Sequence, residues 1–161
     1  MCVNQYWGGY IGGTDDSLGL LDYLEDKGKR EISLTEVFKD IGLGKLGGDF
    51  TQTTALLEYR RANGEHISFD FAINLVIDIA AILLGCDRNG SVALQNLDSS
   101  RKTDLRVSIL VSAEDLHFFD EALEHFAENP LSYDLGEIVP EEELLEMAQQ
   151  VEALREDLCG D

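Results

Sequence analysis

The chain has 161 residues, of which 44% are hydrophobic, with 32 acidic and 12 basic side chains and a net charge of −20. This length fits one globular domain over residues 1–161, and the hydrophobic content is high enough for a folded core. The charge disfavours binding to nucleic acid or to an anionic membrane, because both contacts need a basic patch.

The N-terminal segment lacks the basic stretch and apolar run of a secretory signal, which predicts a cytoplasmic protein. Residues 8–13 are rich in glycine and predict a tight turn or a strand edge. Their spacing fits neither the dinucleotide-binding motif nor the P-loop, so a turn is favoured over a nucleotide site. Trp7 and Tyr10 beside this turn are candidate aromatic anchors for a partner.

Two N-terminal helices are predicted from their capping residues. Thr14 to Ser17 precede leucines at helical spacing, which predicts a helix near residues 15–27. Ser33 and Glu36 have the spacing of a capping box and predict a short helix that ends near Gly42.

A β-hairpin is predicted over residues 54–71, with Ala62, Asn63 and Gly64 as its loop. A three-residue loop places Tyr59 opposite Ile67 and gives the hairpin one apolar face. A two-residue loop would place Arg60 opposite Ile67 and mix the faces, so the first register is favoured.

The most apolar segment, residues 72–84, predicts a central helix capped by Gly85, and it is too short to span a bilayer. Its polar residues Asn74 and Asp78 are four apart on one narrow strip. We expect them to bond to neighbouring backbone or to form a wet strip, and they are also candidates for a cluster with shifted pKa values. Two strands are predicted next, Ser91 to Leu97 and Leu105 to Val111.

The last fifty residues contain two further predicted helices and most of the net charge. One begins at Ser112 and ends before Pro130, and the other begins at Pro140. Residues 112–161 contain sixteen acidic residues and one basic residue, Arg155, whereas the first 111 residues have a net charge of −5. In the last helix, apolar residues from Leu144 to Leu158 recur in steps of three and four, which predicts a core-facing stripe or, less often, a coiled-coil seam.

These elements predict an α+β fold, with an antiparallel sheet of about four strands packed with about five helices. The odd number of widely spaced cysteines, Cys2, Cys86 and Cys159, predicts reduced thiols rather than disulfides or a zinc site. His117, Glu121 and His125 could share one helix face as metal ligands, but a solvated acidic face with Glu124 and Glu128 explains the same pattern. No metal and no cofactor is expected.

A small, very acidic α+β chain without catalytic motifs resembles the immunity proteins of bacterial polymorphic-toxin and contact-dependent growth inhibition systems. The resemblance implies a non-catalytic protein that binds and neutralises a cognate toxin domain, commonly a nuclease with a basic active-site surface. The carboxylates would then take the place of phosphates. The residues of this sequence that fit a partner-binding role are Asp120, Glu121, Glu124, Glu128, Glu141, Glu142, Glu143, Glu146, Trp7 and Tyr10.

Two other classes of function remain open at this point. The chain could be an adaptor or structural subunit that associates through the Leu144 to Leu158 stripe. It could also be a small hydrolase or metal enzyme that uses Asp78, Cys86 or the histidines.

Overall fold

A computed structural model describes residues 6–53 and 56–160, and within these ranges the chain is an α+β protein. The α-helices are α1 (Asp15–Lys27), α2 (Leu34–Ile41), α3 (Ala72–Asn89), α4 (Leu94–Leu97), α5 (Ala113–Glu128) and α6 (Glu141–Cys159). The strands are β1 (Trp7–Gly9), β2 (Ile11–Gly12), β3 (Glu31–Ser33), β4 (Glu58–Arg60), β5 (His66–Ser68), β6 (Val92–Ala93) and β7 (Arg106–Leu110). Short 3-10 turns lie at Leu43–Leu46, Pro130–Ser132 and Asp134–Glu137.

The prediction of one antiparallel sheet of about four strands is wrong. The largest sheet in the described residues has three strands in the order β3-β7-β6. Strand β3 is parallel to β7, with Ile32 opposite Ile109, and β6 is antiparallel to β7, with Val92 opposite Val107. The parallel pair joins segments more than seventy residues apart, and no local turn signal reports such a pairing.

The hairpin has the predicted register. Tyr59 lies opposite Ile67 and Arg60 opposite His66, and the Arg61 N–H donates to the Glu65 carbonyl at 2.7 Å. Gly64 has a φ of 93°, the left-handed conformation that this loop requires. The first predicted residues of the hairpin, 54 and 55, lie outside the described ranges.

The N-terminal caps are confirmed, with one difference. The Thr14 hydroxyl accepts from the Ser17 N–H at 3.0 Å, and the Ser33 hydroxyl accepts from the Glu36 N–H at 3.1 Å. The Glu36 carboxylate does not complete a capping box, because it is bound by Lys27 and Lys29, each 2.8 Å away.

Helix α3 is the centre of the core, and every residue from Ala72 to Gly85 is buried. The helix does not stop at Gly85 as predicted; it continues to Asn89 and ends at Gly90, which has a φ of 83°. The predicted strand from Ser91 to Leu97 is also mostly wrong, since only Val92 and Ala93 are extended. Leu94 and Leu97 are both buried, and side chains three apart share one side only in a helical turn.

The apolar stripe of α6 faces the core. Leu144, Met147, Val151 and Leu154 are buried where α6 packs against α5 and α3. The stripe that an adaptor would use for association is therefore packed against this chain's own core. Among the helices described, none combines the length and the apolar character needed to cross a membrane.

Candidate functional site

Helices α5 and α6 pack against each other in opposite directions, since Leu116 meets Cys159 and Asp120 meets Arg155. Arg155 near the end of α6 is the residue that joins them. Its guanidinium lies 2.7 Å from Asp120 of α5, 2.7 Å from Glu152 of its own helix and 3.5 Å from Glu124 of α5. These contacts, led by the bond to Glu152, raise the pKa of Arg155, and the guanidinium in turn lowers the pKa of Glu152.

This network changes the status of two predicted site residues. Asp120 and Glu124 lie on α5 as expected, but their charges are partly neutralised by Arg155. They therefore attract an approaching cation less strongly than unpaired carboxylates do, because the Arg155 guanidinium already offsets part of their negative charge.

The carboxylates without such neutralisation are concentrated where α5 ends and α6 begins. Residues 128–146 contain seven acidic residues and no lysine, arginine or histidine. Within the described part of the chain, no cation pairs with the following exposed members of this group: Glu128, Glu137, Glu141, Glu142 and Glu143. Three of them form the first turn of α6, where the helix dipole stabilises negative charge.

The same segment also exposes apolar side chains. Leu131 is 56% exposed, Ile138 67% and Leu145 44%, and these are three of the six large hydrophobic side chains exposed in residues 6–53 and 56–160. Apolar side chains surrounded by charge are typical of protein-binding surfaces. We refer to residues 128–146 as the 128–146 surface.

Sequence reasoning did not identify these apolar residues. The exposure of Leu145 could have been predicted from the sequence, because this residue is not at one of the spacings that form the core-facing stripe of α6. Leu131 lies in the 3-10 turn Pro130–Ser132 and Ile138 directly follows the turn Asp134–Glu137, and segments this short have no periodicity that separates buried from exposed side chains.

The two predicted aromatic anchors differ in position. The Tyr10 hydroxyl donates to Glu146 at 2.9 Å, and this bond to a carboxylate raises the pKa of Tyr10. Tyr10 therefore lies beside the 128–146 surface. Trp7 is buried, and its indole N–H donates to the Leu97 carbonyl at 2.9 Å, so its ring is part of the core and is not available to a partner.

The histidines do not converge on a metal site. His117 Nε2 lies 2.9 Å from Glu121, whereas His125 Nδ1 is hydrogen-bonded to the Tyr133 hydroxyl at 2.6 Å. In the ranges that the structure describes, no group of three or more His, Cys, Asp or Glu side chains is placed to hold a metal ion. Glu121 remains exposed, seven residues before Glu128, and so lies on nearly the same side of α5.

The polar strip of α3 is a buried cluster that anchors the N-terminal segment. Asp78 accepts from the Gly12 N–H at 2.9 Å and from the Ser17 hydroxyl at 2.6 Å. Burial raises the pKa of Asp78 to about 7. One turn away, the Asn74 amide donates to Asp16 at 3.1 Å. Asp78 therefore has the predicted bond to backbone and the predicted pKa shift, whereas the side chain of Asn74 bonds to a side chain. Both residues are buried, so the alternative of a solvent-exposed strip is wrong.

The described cysteines do not have the properties of nucleophiles. Burial raises the pKa of Cys86, whose thiol lies 3.5 Å from the Val107 carbonyl. Burial also raises the pKa of Cys159 to about 11. Both thiols are therefore protonated near neutral pH, and the thiolate is the reactive form. Cys2 lies outside the described residues.

These observations define an acidic α+β protein with a carboxylate-rich surface and without an assembled metal or thiol site in its described residues. A family model for Immunity protein 68 matches residues 2–158, and the chain belongs to this family of toxin-system immunity proteins. Comparisons with curated proteins and with solved structures found no match.

Proposed function

We propose that this protein neutralises a toxin domain with a basic surface, most specifically a nuclease, by covering that surface with residues 128–146. One observation supports the proposal above the others: the segment 128–146 contains seven acidic residues, no basic residue and three exposed apolar side chains. Membership of the immunity family supports the coarser statement that a toxin is the target.

The chemistry of the surface suits a nuclease. A nuclease binds the phosphates of its substrate with lysine and arginine side chains, and glutamates can occupy the same positions as competing anions. In this proposal Ile138, Leu145 and Leu131 provide the buried contacts that slow dissociation. The carboxylates accelerate association by electrostatic steering.

The other predicted residues have smaller roles. Glu121 and Tyr10 border the surface, Glu146 is held by Tyr10, and Asp120 and Glu124 mainly join α5 to α6 through Arg155. Inhibition requires no catalytic step by this chain. We place the protein in the bacterial cytoplasm, within a polymorphic-toxin or contact-dependent inhibition system, where the nucleic acid that such a toxin attacks is found.

The test is a charge reversal on the 128–146 surface. The double variant Glu141→Lys, Glu142→Lys should weaken binding of the toxin encoded beside this protein by about tenfold or more, and should reduce protection of cells that express the toxin. The matched control is Glu31→Lys, Asp104→Lys, which makes the same change in net charge at two exposed residues elsewhere.

Equal affinity of the two double variants would show that only net charge matters and would refute the proposed surface. A toxin without a basic surface that is nevertheless bound tightly would refute the proposed chemistry while leaving membership of the family intact.

A further inference from the structure

An apolar groove lies at the other end of α5. It has a volume of about 570 Å³ and is formed by α2, by the 3-10 turn Leu43–Leu46 and by the first two turns of α5. Its apolar lining includes Leu34, Phe38 and Phe118, and the two phenylalanine rings meet edge to face with centroids 5.8 Å apart. This volume lies in the range of pockets that hold a ligand or a large side chain.

The two sides of the groove have opposite charge. Lys39 and Lys45 lie on the side formed by α2 and the 3-10 turn, and neither has an ion-pair partner among the described residues. Glu114 and Asp115 lie on the part of the lining that α5 contributes. Asp115 accepts from the Ser112 N–H at 2.9 Å and is held in the cap of α5, whereas Glu114 is exposed.

Of the five lysines, Lys39, Lys45 and Lys102 have no ion-pair partner among the described residues, although acidic side chains outnumber basic ones by 32 to 12. Two of them on one side of an apolar groove make that side attractive to a carboxylate, in contrast to the 128–146 surface. The groove is therefore complementary to an apolar side chain with an acidic neighbour.

The groove and the 128–146 surface can contact one partner. Glu114, Glu121 and Glu128 are spaced seven residues apart, so they follow nearly one side of α5. From Glu114 to Glu128 the helix rises roughly 21 Å at 1.5 Å per residue. A protein interface of ordinary size covers that distance.

We propose that the groove is a second docking site for the toxin, which receives an apolar side chain flanked by a carboxylate that binds Lys39 and Lys45. This inference rests on the proposed function. The acidic surface attracts many basic proteins, whereas an apolar groove between opposite charges selects among them, because a wrong partner leaves the lysines unpaired or the groove unfilled.

A substitution of Gly44 can test whether the groove is a binding site. It lines the groove, a Cβ added there meets no atom within 4 Å, and its backbone is not in the left-handed region. Gly44→Met therefore adds a side chain at the lining of the groove without a clash at the Cβ and without removing a side chain. We expect this variant to bind the toxin about tenfold more weakly, with an unchanged thermal midpoint.

Substitution of the two lysines gives a test in which the two explanations predict opposite changes in affinity. Lys39→Glu, Lys45→Glu makes the protein more acidic, so attraction by net charge alone predicts tighter binding of a basic toxin. The proposed carboxylate contact predicts weaker binding. The control is Arg60→Glu, Lys102→Glu, which makes the same charge change at two exposed residues.

The isolated protein can be tested with anilinonaphthalene sulfonate, a fluorescent probe with an aromatic body and an anionic group. Its fluorescence should increase with the natural protein, and the increase should be lost with Gly44→Met and with the Lys39, Lys45 double variant. Equal fluorescence with all three proteins would overturn the proposal.

The outcomes separate this inference from the proposed function. If reversal of Glu141 and Glu142 weakens toxin binding but Gly44→Met and the lysine reversal do not, the groove proposal falls and the proposed function stands. If the natural protein does not bind the toxin, both fall.

Discussion

Arg155 Nη1 lies 2.7 Å from Asp120 Oδ1, and this ion pair joins the two helices of the acidic C-terminal region. Arg155 is the one basic residue among the last fifty, and Glu124 and Glu152 lie within 3.5 Å and 2.7 Å of the same guanidinium. A single cation thus limits repulsion among three carboxylates at the contact between α5 and α6.

We predict that Arg155→Gln destabilises the protein by roughly 1 kcal/mol at pH 7, because it leaves three like charges close together. The free energy of unfolding from urea titrations measures the effect. Arg60→Gln is the control, since the Arg60 side chain is exposed and has no ion pair or hydrogen bond among the described residues, and it should change stability by less than about 0.5 kcal/mol.

The effect of Arg155→Gln should depend on pH. Arg155 lowers the pKa of Glu152, so its contribution is present above the pKa of an unfolded glutamate and is lost as the pH falls through the lowered value. The difference between variant and natural protein should therefore shrink in acid. A difference that is constant from pH 7 to pH 3 would contradict the electrostatic explanation.

Asp78→Asn should make the free energy of unfolding less dependent on pH near neutrality. The pKa of Asp78 is raised from 3.8 to about 7, so between these values the native state binds more protons than the unfolded state. Stability from this group is present below 3.8 and is lost as the pH rises through 7. We expect the free energy of unfolding of the natural protein to fall by up to ~3 kcal/mol between pH 5 and pH 8. The asparagine variant should not show this fall.

The comparison of pH profiles is the informative measurement for Asp78, because the amide also changes hydrogen bonding to Ser17 at every pH. Parallel profiles of unfolding free energy for the two proteins would show that Asp78 does not titrate in this range.

Gly12→Ala should destabilise the protein by more than about 2 kcal/mol. Gly12 has a φ of 81°, its N–H donates to Asp78, and a Cβ there would overlap the Trp7 indole. Gly9→Ala is the matched control, since its Cβ would meet no atom within 4 Å and its backbone is not left-handed. Thermal unfolding of both variants checks the contrast, and equal midpoints would contradict the described turn.

Ile138→Ala should weaken toxin binding without loss of stability. Its side chain is 67% exposed, so truncation removes little from the core, whereas a partner that covers it would lose an apolar contact of about 1–2 kcal/mol. Leu18→Ala is the control, at 48% exposure on α1. Calorimetric titration with the toxin is the measurement, and a similar loss of affinity for both variants would argue against the 128–146 surface.

Local signals predicted much of the secondary structure. Helix α1 has the predicted bounds, Ser112 and Thr14 cap their helices, and the hairpin register follows from the need for one apolar face. These features depend on residues close together in sequence, where capping chemistry and side-chain alternation act directly.

Features that depend on distant residues were not predictable in the same way. The parallel pairing of β3 with β7 and the partners of Arg155 require knowledge of the packing. Trp7 illustrates the problem for the candidate site. Beside a glycine turn an indole can face a partner or the core, and only the contact with Leu97, ninety residues away, distinguishes them.

The contact between Tyr10 and Glu146 has a consequence for biosynthesis. The two residues are 136 positions apart, and the Tyr6 hydroxyl bonds to Asp157 across 151 positions. Closing such long loops costs entropy that only late packing recovers. The contacts of Tyr6 and Tyr10 with α6 therefore form only after α6 has been synthesised, whereas the bond between Gly12 and Asp78 of α3 can form earlier.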